Sequence, residues 1–338
     1  MNPFIYMHHN RDLFWDTLKL FLIFLVIYGH IIERYAQIGT FNCAMWKWIY
    51  LFHIPLFVFV SGRFSHTSDN IRFWNKIVHL FETYLFFQLL FSIDLLIDGN
   101  LGGAFLTTPY LHLWYLLSLI MWRLLLFYTP KYILVNRLRI VIISFFISLL
   151  AGYIPIGMQF SLQRTLTFLP FFVLGYYSVE FDFLKYLNRI PYMLAMGILF
   201  APFLIMYLGV IHIPGPVLWG AVPYWSGDRI QFQYTIIDLT WRLFFLLSAI
   251  ILSIMFIRIV PKSSNIGRWG RTTLFVFVYH MFLINILNDL INRNCILSTN
   301  TLLFLYAVAI ILVLLFLSRS KIINMSLNPI SSIISVFH

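Results

Sequence analysis

The sequence predicts an all-α protein: a polytopic transmembrane helix bundle of about ten spans with both termini cytoplasmic. Three observations predict it. The 338 residues are 61% hydrophobic and only 10% charged, with mean hydropathy +0.87, where a soluble domain carries about 25% charged residues. The apolar residues fall in runs long enough to cross a hydrocarbon core about 30 Å thick. The basic residues gather in alternate loops.

The runs read as spans at 14–32, 46–62, 77–97, 111–128, 138–154, 165–180, 191–211, 235–257, 272–290 and 300–318. The first follows a short polar segment without a small-residue cleavage site, so it is expected to stay in the mature protein. The second is short and contains Pro55 and Gly62, which predicts a kink or a partly re-entrant segment. Between the seventh and eighth spans, 212–234 is the longest outer loop, punctuated by Pro214, Pro216, Pro223, Gly215, Gly220 and Gly227. No repeat period is apparent, and the chain reads as one membrane domain over 1–338.

Loop charge sets the orientation. The N-terminus, the loops after the even spans and the tail hold Arg11, Arg63, Arg72, Lys76, Lys131, Arg137, Arg139, Lys185, Arg189, Arg258, Lys262, Arg268, Arg271, Arg319 and Lys321. The opposite loops hold only Arg34, Lys47, Arg164, Arg229 and Arg293. This bias places the first set in the cytoplasm. The same distribution argues against a nucleic-acid partner, although the net charge is +11; the partner it implies is the lipid bilayer. Cys43 and Cys295 lie in different loops without a CxxC pair, so no zinc site is expected, and a single bridge between them stays open. No HExxH or similar metal-ligand spacing occurs.

The first span carries the chemistry. Asp16, Lys19, His30 and Glu33 sit in a run otherwise apolar, and an ionisable group inside hydrocarbon is a functional candidate. The steps 16, 19, 23, 26, 30, 33 alternate three and four, which traces one helix face. Lys19 and His30 then lie about 16 Å apart along the axis. A neutral imidazole can take a proton from a hydroxyl, and Glu33, one turn on, can orient it as a general base requires. Asp16 and Lys19 can neutralise each other. Further polar groups inside or at the start of apolar runs are His53, His112, Trp114, Arg164, Arg242 and His280. Their number points to a polar central cavity. Trp219, Tyr224 and Trp225 in the long outer loop suit a saccharide surface or, equally, an interfacial belt.

These motifs resemble the acyltransferase-3 family of membrane O-acyltransferases. Lys19, ten residues, then His30 is similar to the family's arginine–ten residues–histidine motif, and Asp16 matches the acid three residues before that cation. Phe52–Gly62, His112–Tyr115 and Gly270–His280 resemble motifs of its second, fourth and penultimate helices. Asn10–Asp12 and Ser161–Gly175 look like the branch named after fucose 4-O-acetylases. The resemblance covers about residues 10–318. Two positions depart from it. Lys19 keeps the charge of the usual arginine but not its bidentate fork, and Lys76-Ile-Val-His79 stands where the family often has two arginines.

The resemblance implies an O-acetyltransferase of a bacterial inner membrane. Its donor is cytoplasmic acyl-CoA, in the first place acetyl-CoA, used as substrate with no permanently bound cofactor. Its acceptor is a sugar hydroxyl of a cell-surface polysaccharide or its lipid-linked precursor. In this reading His30 is catalytic with Glu33. Asp16, Lys19, Arg72, Lys76 and His79 serve the donor side, with Arg137 and Arg139 as further phosphate contacts. His30 either activates the hydroxyl or carries the acyl group itself. A carrier or flippase for lipid-linked saccharides is the alternative, and it predicts inverted repeats and paired broken helices. Neither is evident. A membrane sensor is a third reading, disfavoured because no soluble signalling domain is attached.

Overall fold

A computed structural model describes residues 13–67, 69–97, 107–154, 158–224, 232–262, 265–294, 296–320, 323 and 325–327. At 94, 95, 97, 232–235 and 265 it gives the main chain alone. The described residues contain helices and no strand. Ten principal helices follow one another: α1 Leu13–Glu33, α2 Phe41–Arg63, α3 Asn70–Ile97, α4 Trp114–Tyr128, α5 Arg137–Ala151, α6 Leu162–Tyr177, α7 Tyr192–Tyr207, α8 Phe232–Ile259, α9 Thr273–Asn292 and α10 Asn300–Leu317. Among the described residues, seven helical segments are long and apolar enough to cross a membrane: α1, α2, α8 and α10, α3, α4 with its preceding turn, and α9 with the turn before it. The chain is an integral membrane protein.

Several helices start earlier than hydropathy alone predicts, because polar caps extend them. Thr40 caps α2, its Oγ1 accepting the Cys43 N–H at 3.2 Å. Asp69 Oδ1 accepts the Ile71 N–H at 2.8 Å at the start of α3. Such a side chain satisfies a backbone donor that no helical carbonyl can reach. The second span is not re-entrant: α2 runs through Pro55 as one helix of 23 residues. Proline removes one donor to the preceding turn. Just before Pro55, His53 Nδ1 donates to the Ile49 carbonyl at 2.7 Å.

The pairing of α2 with α6 forms a close seam. A Cβ on Gly62 would lie 2.9 Å from the Phe172 carbonyl carbon, and one on Gly175 would lie 2.7 Å from that of Phe59. Each helix offers its glycine to the other's backbone, the small-residue contact of membrane helices. Gly267 and Gly270, in the 3₁₀ segment Asn265–Thr272, make the same kind of approach to the first turns of α1. Apolar side chains on the outside suit lipid: Val78, Phe81, Leu85 and Leu89 follow helical steps along α3 and are all exposed.

The helices share two ends. At one, the C-terminus of α1 meets the early turns of α2, Tyr50 Oη standing 3.3 Å from Glu33. Asn42 of α2 bonds Asn300 of α10 at 2.9 Å there. At the other end, Arg63 closes α2 against Ser178 just past α6, at 2.8 Å to its carbonyl. Arg258, late in α8, donates to the Ile190 carbonyl at 2.8 Å just before α7.

Candidate active site

At the Glu33 end, a cavity of about 420 Å³ opens between α1, α2, α4, α6 and α9. Its walls include His30 and Glu33 of α1, Tyr50, His53 and Phe57 of α2, His112, Trp114 and Tyr115 at the start of α4, Arg164 of α6, and Trp219 of the loop after α7. Leu111 and Met158, both half exposed, stand at its mouth. Seven of the residues singled out in the sequence therefore meet here, drawn from four helices and a loop. The local reason is the same for each: an ionisable or amphipathic side chain in an apolar segment turns inward, where polar partners and a polar cavity exist.

His30 Nδ1 lies 3.4 Å from Glu33 Oε2, along the i, i+3 spacing of α1. The Tyr50 hydroxyl donates to the same oxygen at 3.3 Å. The His30 ring is 5.5 Å from that of His280, and His280 is 4.8 Å from His112. His280 is fully buried behind this wall and donates through Nδ1 to the Phe277 carbonyl, at 2.6 Å. Neither ring nitrogen of His112, nor Nε2 of His280, makes a hydrogen bond of acceptable geometry to a described residue. Arg164 packs its guanidinium 5.0 Å from the Trp114 ring centre, a cation–π contact. Its Nε is buried without a partner, so the cavity holds hydrogen-bond donors that the fold itself leaves unused. Tyr115 is committed to the scaffold: its hydroxyl bonds Ser61 Oγ at 2.7 Å and the Phe57 carbonyl at 3.1 Å.

Arg164 owes its place to a strained turn. Phe160 and Ser161 take φ of 47° and 58°, a left-handed region that costs a side-chain-bearing residue about 1–2 kcal/mol. The Phe160 N–H donates to the Thr107 carbonyl at 2.6 Å, and the Ser161 carbonyl accepts from Thr165 Oγ1 at 2.9 Å. These bonds hold the turn that starts α6 three residues before Arg164.

The other residues singled out in the sequence lie elsewhere. Asp16 and Lys19 sit at the far end of α1, paired at 2.6 Å, with Arg271 4.0 Å from the other Asp16 oxygen. Arg72 is exposed and pairs with Asp69 at 3.2 Å; Lys76 is exposed, and His79 keeps a buried, unpartnered Nδ1. Arg137 pairs with Glu180. Arg242 is buried away from the cavity, donating to Thr167 Oγ1 at 2.6 Å with its guanidinium 5.7 Å from the Tyr224 ring centre. Tyr224 is buried against Gly152, and its hydroxyl donates to the Leu149 carbonyl at 2.8 Å. Burial pushes that hydroxyl up to about 12, against the pull of Arg242, so it stays a donor. Of the three loop aromatics, Trp219 reaches the cavity and Tyr224 fastens the loop; Trp225 lies outside the described residues. Cys43 is buried, and Cys295 lies outside the described residues. Sequence reasoning missed Tyr50. Its signal was the spacing Trp46, Tyr50, His53 on one face of α2.

The acyltransferase domain family matches residues 12–319. The chain belongs to the acyltransferase-3 family. Among characterised proteins, this acyltransferase is similar to the nodulation protein NolL of Mesorhizobium japonicum, 30% identical over 192 residues. That match covers 50% of this chain and 48% of NolL. A second NolL, from Sinorhizobium fredii, is 40% identical over 57 residues, 16% of each chain. The chain thus spans about half or less of the length of the relatives it matches. No solved structure shows significant similarity.

Proposed function

We propose that this membrane acyltransferase moves an acetyl group from cytoplasmic acetyl-CoA to a sugar hydroxyl of a cell-surface polysaccharide or its lipid-linked precursor. The bilayer is a bacterial inner membrane, crossed ten times with both termini in the cytoplasm. The observation that carries the reading is the Tyr50–Glu33–His30 set on the wall of a cavity large enough for a sugar ring and a thioester. With its Nδ1–H donated in a hydrogen bond to Glu33, neutral His30 keeps the lone pair of Nε2. Nε2 takes the proton of the acceptor hydroxyl as its oxygen attacks the thioester carbonyl. The tetrahedral intermediate collapses, the carbon–sulfur bond breaks, and the imidazolium returns the proton to the leaving thiolate. A covalent acetyl-His30 intermediate obeys the same balance in two steps. Arg164 offers unused N–H donors to the developing oxyanion. Glu33 stabilises the imidazolium, and Trp219 lays a ring against the sugar.

The donor arm, in this reading, reaches His30 from the Lys19 end of α1, where loop cations face the coenzyme A pool. The deciding experiment is His30→Ala with the purified full chain and labelled acetyl-CoA. Loss of label in the saccharide fraction is expected, with the thermal unfolding midpoint unchanged. Label at the wild-type level would remove His30 from the chemistry.

A further inference from the structure

The wall of the cavity changes character along its length. α9 runs beside α1 in the same direction: Gly270, just before it, abuts the Asp16 backbone, and the His280 ring lies 5.5 Å from that of His30. Phe277, Met281, Ile284 and Asn288 follow steps of four, three and four and all line the cavity. Level with His30 and just beyond it, this wall is therefore apolar, through Met281 and Ile284. It turns polar at Asn288, eight residues past His280 and about 12 Å further toward the Glu33 end. Asn288 is not used by the chemistry above. Its Oδ1 is buried and makes no hydrogen bond to any described residue. A buried amide oxygen is normally paired, because burial without a partner forfeits its hydration.

Two other groups stand toward the same end. Arg34, exposed, follows Glu33 at the close of α1 and lines the cavity there. Trp219 meets the Trp46 ring edge-on at 6.2 Å, and Trp46 lies 4.8 Å from Tyr50. Trp46 is one turn nearer the start of α2 than Tyr50, so Trp219 too stands on the mouth side of the Tyr50–Glu33–His30 set. An aromatic face, a guanidinium and an amide with donors and an acceptor are the contacts a sugar ring takes: its apolar face stacks and its hydroxyls pair. Asn288 stands further from His30 than one pyranose ring spans. A single sugar with its hydroxyl at His30 therefore leaves the Asn288 amide unpaired.

We infer that Asn288, with Trp219 and Arg34, forms a second saccharide subsite, and that the acceptor is a chain of at least two sugar units. The unit that is acetylated lies at His30 and Glu33, against Met281 and Ile284. Its neighbour along the chain lies at the mouth, with a hydroxyl on the Asn288 amide. The subsite rests on the proposed transfer to a sugar hydroxyl at His30, and it distinguishes an assembled glycan, free or lipid-linked, from a single sugar.

The test uses the full chain in neutral detergent and a ladder of one-, two- and three-unit saccharides, made by partial acid hydrolysis of the host cell's surface polysaccharide and de-O-acetylated with mild base. Binding is read without acetyl-CoA, as the saccharide concentration that half-protects the protein from thermal unfolding. In wild type that concentration should fall about tenfold from one unit to two, as one more hydrogen bond and one stacked ring allow. In Asn288→Ala the fall should shrink to about threefold or less. Asn285→Ala, on the same helix but away from the cavity lining, should keep it. Should Asn288→Ala fail to fold, Asn288→Ser gives the same reading. A merely structural Asn288 would weaken all lengths alike; that result overturns the subsite, as does a wild type that binds one unit as tightly as two, or binds none. The proposed activity fails separately: label from acetyl-CoA would then reach no saccharide, while length-dependent binding through Asn288 would stand.

Discussion

In the proposed mechanism, Glu33→Gln separates the orienting carboxylate from the base it serves. One oxygen of Glu33 receives both His30 Nδ1 at 3.4 Å and Tyr50 Oη at 3.3 Å, and its side chain is 34% exposed. A hydrogen bond to a charged group contributes about 1.5–3 kcal/mol. Both contacts are long and the carboxylate meets solvent, so the lower figure applies, about 1.5 kcal/mol after screening. If that stabilisation belongs to the imidazolium of the transition state, its loss slows turnover about tenfold. Loss of the base itself costs about 10²–10⁴-fold. The two variants should therefore separate: Glu33→Gln roughly tenfold down in kcat, His30→Ala a hundredfold or more, with acceptor KM little changed in the first. Initial rates of label transfer from acetyl-CoA at saturating acceptor read both. A Glu33→Gln rate equal to wild type, or as low as that of His30→Ala, refutes the assigned roles.

Three further outcomes are expected. Lys19→Ala should raise the apparent KM for acetyl-CoA while Lys19→Arg keeps it near wild type, because charge is the property that position supplies; equal KM values in all three would end its donor-side role. Gly175→Ala should lower the unfolding midpoint sharply, since the added methyl meets the Phe59 backbone and overpacking costs about 1–3 kcal/mol; an unchanged midpoint would mean the α2–α6 seam is looser than described. Trp219→Ala should slow transfer but not acceptor-free hydrolysis of acetyl-CoA, whereas Tyr224→Phe should cost about 1 kcal/mol of stability with acceptor preference intact, as thermal unfolding and product analysis would show.

The cavity was legible in the sequence for a physical reason. His30, Glu33, His53, His112 and Arg164 stand in or at apolar segments where water is absent, so each is driven toward the bundle interior, and the interior of one bundle is one place. Tyr50 escaped notice because tyrosine also belongs to membrane interfaces, and only its distance to Glu33 distinguishes the two uses. Tyr224 and Arg242 were grouped with ligand-facing residues by chemistry alone. Tyr224 fastens the outer loop to α5 through the Leu149 carbonyl, and Arg242 ties α8 to α6 through Thr167. Helix starts were displaced wherever a capped polar turn, as at Thr40 and Asp69, preceded the apolar run.

The reciprocal glycines of α2 and α6 divide the molecule into parts with different freedom. Two helices in backbone contact cannot slide or roll without separating, so they behave as a stator. α2 lines the cavity through Tyr50, His53 and Phe57, and α6 carries Arg164 on its wall. The stator therefore fixes the distance between Arg164 and the Tyr50–His53 wall, like a gauge set to one width. Whatever swings aside to widen that cavity must belong to the helices that complete it without sharing the seam, α1, α4 or α9. A bulky residue at Gly62 or Gly175 would then do more than destabilise: it would detune the gauge, and the width of the cavity would change with it.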